Sequence, residues 1–329
     1  MPVAEERVYT LADLEQPRWR QILRRVVDGK NERFALGALA IVGAVLAVSE
    51  GQQAYQCSVL RARLLSAQRA EASGSTPAEL GLSERVICAA EELSQTGGED
   101  FVAPRLRGGG GRGLGQQTGV YVRLLDTEAR RSDDARLGAE ISVKDAVGMC
   151  LLRGEAAGAA DPRLLDGACG PGSACLGEQT ARLHNLRTVA RGLSVLLPDF
   201  AEHVAEATSP KVLSLLEADF EERREALIPL ARQVAKEASY ALVVIDETPK
   251  DKPPHPWGWT RLDVQAAAHV ARVALVDART GEPLVRLRRA LDAPGLSVAS
   301  ASASDEVRRQ VESCALGLEV RRALGDDAS

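Results

Sequence analysis

The chain has 329 residues, of which 45% are hydrophobic and 26% charged, and its formal net charge is −5. That is apolar material enough for a core in one or two domains, and the charge content is too ordinary for wholesale disorder. An acidic balance with aromatics at only 3% excludes a general pull toward nucleic acid and leaves few rings for stacking bases, so no nucleic-acid partner is expected.

Residues 1–33 read as a tail with an amphipathic basic helix. Thr10 and Asp13 form a capping-box-like start, and Leu11, Leu14, Ile22, Leu23, Val26 and Val27 recur at roughly helical spacing. Pro17 interrupts the pattern and Gly29 closes it. Trp19 and an arginine cluster on such a helix suit an anionic membrane surface, although docking on a cytoplasmic partner fits as well.

The run Phe34–Val48 holds fifteen residues without a polar side chain. A spanning helix usually needs about 20 apolar residues and about 17 at the short end, so the run is short. Ser49 extends it, and Lys30 and Arg33 can snorkel to the headgroups. A transmembrane helix over 34–49 is the expectation, with the bilayer as partner. Arg18, Arg20, Arg24, Arg25, Lys30 and Arg33 precede the run, while only Arg61 and Arg63 follow closely. The richer basic flank stays in the cytoplasm, which puts the bulk of the chain in the periplasm of a bacterial inner-membrane protein. A cleaved signal peptide fits less well, because about 33 residues precede the run where such peptides begin with a short charged stretch.

Residues 50–95 read as juxtamembrane helices, broken at Ser73–Pro77 and restarted by Thr76–Pro77, with Leu80, Leu82, Val86, Ile87 and Cys88 facing inward. Residues 96–118 are a Gly-rich flexible loop. Gly108, Gly110 and Gly113 match G-x-G-x-x-G formally, but Pro104 and two arginines stand where a strand is required, and no helix pattern follows. No Walker A lysine is present, so no cofactor is expected.

Residues 119–329 read as an α+β domain, helix-rich, with a helical hairpin and a small C-terminal antiparallel sheet. Gly119–Leu125 has the pattern of a short strand, and 141–152 fits strand or buried helix equally. The hairpin is read from Leu183, Leu186, Val189, Leu193, Leu196 and Leu197 on one helix. Its partner carries Leu213, Leu216, Phe220, Leu227, Leu230 and Val234, with Ser209–Pro210 as its start and Pro229 as a bend. Tyr240–Ile245 is a continuous apolar run typical of a buried strand. Val270–Val276 and Leu284–Leu287 flank the turn 277–282 as a β-hairpin, which resembles one in bacterial envelope proteins such as the curli-secretion lipoproteins, over the hairpin alone. A last helix starts near Ser304 and buries Val307, Val311, Cys314 and Leu318.

All six cysteines, Cys57, Cys88, Cys150, Cys169, Cys175 and Cys314, follow the apolar run. An even number in an oxidising compartment favours disulfides. The flexible turn between Cys169 and Cys175 makes them the favoured pair. Cys57 could link two chains just outside the bilayer, and Cys88 and Cys314 read as free thiols buried on helix faces. No CxxC is present and only four histidines are available, so no metal site is expected.

His255, Trp257 and Trp259 form the most unusual string, a contact for a ligand or partner or else a cover for the sheet edge. Asp246 and Glu247 end the buried strand and, with His269, would make an acid–base set if the fold brought them together. No G-x-S-x-G, H-E-x-x-H or S-x-x-K occurs. The sequence thus points to a membrane-anchored envelope protein acting by binding or scaffolding, with an envelope partner or a second copy of itself. An anchored enzyme using residues 246–269 and a ligand-sensing membrane protein are the alternatives.

Overall fold

The computed structural model describes residues 32–96, 99–106, 114, 117–142, 145–153, 182–249, 259–291 and 305–325. The chain divides into two compact units, residues 1–63 with 207–213 and residues 64–206 with 214–329. Helix α1 (Glu32–Ala72) contributes to both.

In the first unit the expected span falls on α1. Among the described residues no helix is long and apolar enough to cross a membrane. Within the apolar run Ile41, Val45 and Val48 are nonetheless turned to solvent, exposed by 68%, 62% and 69%, while Val42 and Leu46 are half-buried. Further along, Cys57 is buried and its thiol donates to the Thr208 carbonyl at 3.3 Å, while Arg61 donates to the Ala207 carbonyl at 2.8 Å. Burial removes Cys57 from the cross-linking role that its position in the sequence suggests.

The second unit opens with two short helices, α2 (Pro77–Leu80) and α3 (Leu82–Gln95). The Thr76–Pro77 start is a reciprocal capping box, Glu79 N–H to Thr76 Oγ1 at 3.2 Å and Thr76 N–H to the Glu79 carboxylate at 2.9 Å. The helix expected to run through to residue 93 instead breaks at Gly81, and Cys88 lies on the exposed side of α3 as a free thiol. Strand β1 (Phe101–Val102) then forms inside the stretch expected to be loop. Strand β2 (Thr118–Leu125) follows as expected, then helices α4 (Asp126–Ala129), α5 (Ser132–Ile141) and α6 (Ala146–Arg153). The ambiguous apolar stretch after 141 is therefore helical in α6.

Leu183 does not begin a helix but a short strand, β3 (Leu183–Asn185). The expected two-helix hairpin is four helices, α7 (Leu186–Ser194), α8 (Pro198–Glu206), α9 (Pro210–Ala226) and α10 (Ile228–Glu237). Prolines place three of the starts. Pro198 and Pro210 stand first in α8 and α9, and Pro229, which cannot donate to a preceding turn, separates α9 from α10 where a bend was expected. The re-cut turns Leu230 outward and buries Ile228 and Ala231 in its place.

Strand β4 (Ala238–Glu247) is buried over all but its residues Ser239 and Glu247. Helix α11 (Arg261–Ala266), strands β5 (His269–Asp277) and β6 (Pro283–Leu291), and helix α12 (Asp305–Ala323) complete the unit. The β5–β6 turn is set by the Asp277 carboxylate, which accepts from Arg279 and Thr280 N–H, and by Gly281 at φ 77°.

The strands form one mixed sheet in the order β1-β6-β5-β4-β2-β3, antiparallel from β1 to β4 and parallel across β4-β2-β3. This corrects the small C-terminal antiparallel sheet. Strands from the first half of the domain join it, because β4, apolar on both faces, needs cover on both and gains a parallel neighbour in β2. On one face Tyr121, Tyr240, Leu242, Val244, Val273, Leu275 and Val285 pack with Val147 and Leu151 of α6, Leu316 and Val320 of α12, and Leu324 just beyond it. Helices α3, α5, α7 and α10 cover the other face over β2, β4 and β5. The fold is thus helix-rich with a central mixed sheet.

Helices α6 and α12 approach closely because Gly317 faces the α6 backbone. A Cβ there would stand 2.3 Å from the Val147 carbonyl oxygen. The same contact brings Cys150 and Cys314 into a disulfide across 164 residues of sequence. A disulfide was expected. Cys314 is bonded and not a free thiol, and Cys169 and Cys175 lie outside the described residues.

Candidate functional site

In sheets of this kind ligands gather outside the carboxyl ends of parallel strands where successive connections leave in opposite directions. The carboxyl ends of β2 and β4 meet that description. The chain passes from β2 to β3 on one side and from β4 to β5 on the other, and Leu125 pairs with Asp246 in register.

Just inside those ends lies a buried polar cluster. Side-chain alternation along β2 and β4 sends Tyr121 and Arg123, and Val244 and Asp246, to the face covered by α6 and α12. Arg123 grips Asp246 in bidentate fashion, Nε to Oδ2 at 2.7 Å and Nη2 to Oδ1 at 2.8 Å. Its Nη1 donates to Asp145, just before α6, at 2.5 Å and to Ser313 of α12 at 2.7 Å. Asp246 also accepts from Gln265 Nε2 at 3.1 Å, and His269 Nε2 lies 3.1 Å from its Oδ1. The other imidazole nitrogen is 2.8 Å from the Ala267 carbonyl oxygen. Burial alone disfavours the Asp246 carboxylate, but Arg123, with His269, outweighs it and holds the group well below the usual carboxylate range. Burial likewise opposes the charge on Arg123, and Asp246 and Asp145 overcome it, so the guanidinium stays charged.

The structure therefore joins Asp246 to His269, as the acid–base reading requires, but in a form that does not support proton transfer to a substrate. Each Asp246 oxygen lies within hydrogen-bonding distance of two side-chain nitrogens, four contacts in all. A carboxylate so filled has no lone pair left for an incoming proton. The cluster instead ties β2, β4, β5, α11, α12 and the start of α6 together.

Glu247 does not join the set, because the next residue of a strand points to the opposite face. There Arg288 Nε at 2.8 Å and Arg272 Nε at 2.7 Å reach the same carboxylate oxygen. The hydrogen bond from Arg288 does most to lower its pKa to about 2, burial opposes, and Arg272 adds to the lowering. Arg272 also donates to the carbonyls of Leu93, Ser94 and Thr96, closing the C-terminus of α3. Nearby, the Asp126 carboxylate accepts both the backbone N–H and the hydroxyl of Thr248, at 3.1 and 2.7 Å. The protein's own side chains thus occupy the place where a ligand crevice usually opens.

Of the unusual aromatic string, Trp259 is half-buried just ahead of α11, while His255 and Trp257 lie outside the described residues. Among the described residues no group of three His, Cys, Asp or Glu side chains is placed to hold a metal. Sequence reasoning passed over Arg123, Asp145 and Ser313. The signal was present for the first, since an arginine inside an apolar strand demands a buried partner. Asp145 and Ser313 carried no comparable mark.

No family model, curated protein or solved structure matches this chain.

Proposed function

We propose that this is a single-pass bacterial envelope protein of the inner membrane, with its N-terminus in the cytoplasm and its larger unit in the periplasm, acting by binding or scaffolding. The observation that carries the reading is the Cys150–Cys314 disulfide. Cysteines that the fold holds at bonding distance stay oxidised in the periplasm and are kept reduced in the bacterial cytosol. All six cysteines follow the apolar run 34–48, and the arginine-dense flank precedes it, which supports an inside N-terminus. The exposed Ile41, Val45 and Val48 support lipid or an apolar partner around α1. The filled Asp246 carboxylate favours binding over acid–base catalysis.

The test is a reporter active only in the periplasm fused after Ser329, combined with alkaline carbonate washing and non-reducing gels of the unfused chain. The expected outcome is reporter activity, retention in the membrane pellet, and a mobility shift on reduction that the C150A/C314A variant lacks. A chain that washes off the membrane with six reduced thiols would overturn the reading. Ligand sensing is the second reading, favoured by a cavity of about 300 Å³ lined by residues of α3, α5, α7 and the start of α8.

A further inference from the structure

Helix α1 runs unbroken from Glu32 to Ala72. A helix so much longer than about 25 residues is built to span a membrane, to supercoil with another helix, or to do both. Its exposed side carries a pattern that the apolar run alone does not explain. Ile41, Val45, Val48, Gln52, Tyr55 and Val59 follow one another at alternate spacings of four and three residues, and Ala62 continues the series. Every one of these positions is exposed. With Val45, Gln52 and Val59 as a, and Ile41, Val48, Tyr55 and Ala62 as d, the series spans about three heptads.

Three observations bear on what covers this seam. The chain's own contacts within the first unit fall on another side of α1. Buried Cys57 donates to the Thr208 carbonyl and Arg61 to the Ala207 carbonyl, and these two residues stand at the outer heptad positions f and c. Lipid covers only part of the seam, because the apolar run ends at Val48 while Val59 stands about 16 Å further along the helix. The spacing itself selects a helix with the same repeat. On a straight helix such a series drifts by about 20° per heptad, and it stays in line only when two helices supercoil. A lipid phase imposes no such period.

We propose that this seam pairs α1 with α1 of a second copy of the chain, as a parallel, in-register, two-stranded coiled coil that begins within the bilayer and continues outside it. Val45 and Val59 are β-branched, as the a layers of a two-stranded coil favour. Gln52, the polar residue at the middle a position, meets its own counterpart, and the two amides hydrogen-bond and hold the register. Ser49, Gly51, Gln56 and Ser58 border the seam uncharged, so two copies meet without like-charge repulsion. The parallel direction rests on the proposed anchor, since copies inserted by one charge rule point the same way. The pairing itself does not.

The test places one cysteine at a time in the full-length chain carrying C88S, because Cys88 is an exposed free thiol. Freshly broken cells are oxidised with copper phenanthroline before fractionation. V48C and Y55C, both at d positions, should each give a disulfide-linked band at twice the mass of the chain on a non-reducing gel. Q53C, exposed but off the seam, should give no more of that band than the C88S parent. Only a parallel, in-register pair links both d positions to themselves. Val59→Lys removes one apolar layer and sets two ammonium groups together, so it should cut Y55C cross-linking at least roughly tenfold. The mobility shift on reduction of Cys150–Cys314 should persist in that variant, as a check on its fold. No dimer band at V48C and Y55C, an equal yield at Q53C, a linked band of another mass, or Y55C linkage indifferent to V59K would each overturn the proposal. A chain that washes off in carbonate yet links at both positions overturns the anchor alone. A retained chain that does not link overturns the pairing alone.

Discussion

Replacing Asp246 by Asn removes one charge from the centre of the second unit and leaves the side-chain volume almost unchanged. Arg123 then keeps only Asp145 as an ionic partner, with its own side chain 6% exposed. Removing one member of a buried ion pair costs roughly 3–5 kcal/mol, because the survivor stays desolvated and uncompensated. The Asn amide also sets N–H groups against donors from Arg123, Gln265 or His269. At roughly 2–4 °C per kcal/mol for a domain approaching this size, the melting temperature should fall by about 10 °C or more. Arg123→Met should cost a similar amount. The double variant D246N/R123M should cost less than the two singles together by at least about 2 kcal/mol, since the second change removes the charge that the first stranded. Urea unfolding of the four proteins supplies the cycle. The carboxylate is held below its ordinary value of 3.8, so its stabilisation is fully present above that value and is lost as pH falls below it. The gap between wild type and D246N should therefore narrow on acidification. If the single costs add to within about 0.5 kcal/mol, the cluster is not the coupled unit described here.

The disulfide joins residues 164 apart in sequence. The chain-entropy relation assigns such a loop about 5 kcal/mol, and typical measured values are about 2–4, so C150A/C314A should lower the urea midpoint well outside error while wild type under reductant follows it. An unchanged midpoint would show that α6 and α12 hold without the bond. Gly317→Ala forces a methyl to within 2.3 Å of the Val147 carbonyl oxygen and should destabilise by roughly 1–3 kcal/mol. Gly51→Ala, at a helical position with nothing within 4 Å of a new Cβ, should instead stabilise α1 by roughly 0.5–1 kcal/mol, visible by circular dichroism. Glu247 has a folded pKa of about 2 against an ordinary 4.5. Its contribution is present above about 4.5 and is lost as pH falls from there toward 2, so Glu247→Gln should lose stability at neutral pH and show a shallower acid loss than wild type.

Period and punctuation made much of the fold legible in the sequence. Strand β2 from Gly119–Leu125, the buried run of β4, the β5–β6 hairpin and helix α12 all follow from local patterns that need no partner to be read. The same holds for the helix starts at Thr76–Pro77 and Ser209–Pro210, where a cap and a fixed proline φ act within a few residues. Pairing is not local, and there the sequence ran out. Nothing in Leu183–Asn185 announces an edge strand, because three residues become a strand only when β2 offers its free side. Nor does spacing reveal that β2 inserts beside β4 to make the sheet mixed. Cys150 finds Cys314 because Gly317 lets two helices touch, a contact between segments more than 160 residues apart, while the short loop between Cys169 and Cys175 attracted the sequence reading. Asp246 and His269 could be named in advance as chemistry-bearing residues, but only the strand register decided that they meet and that Glu247 turns away. Alternation along a strand is fixed by the chain itself, whereas which face is buried, and what waits there, is fixed by what packs against it.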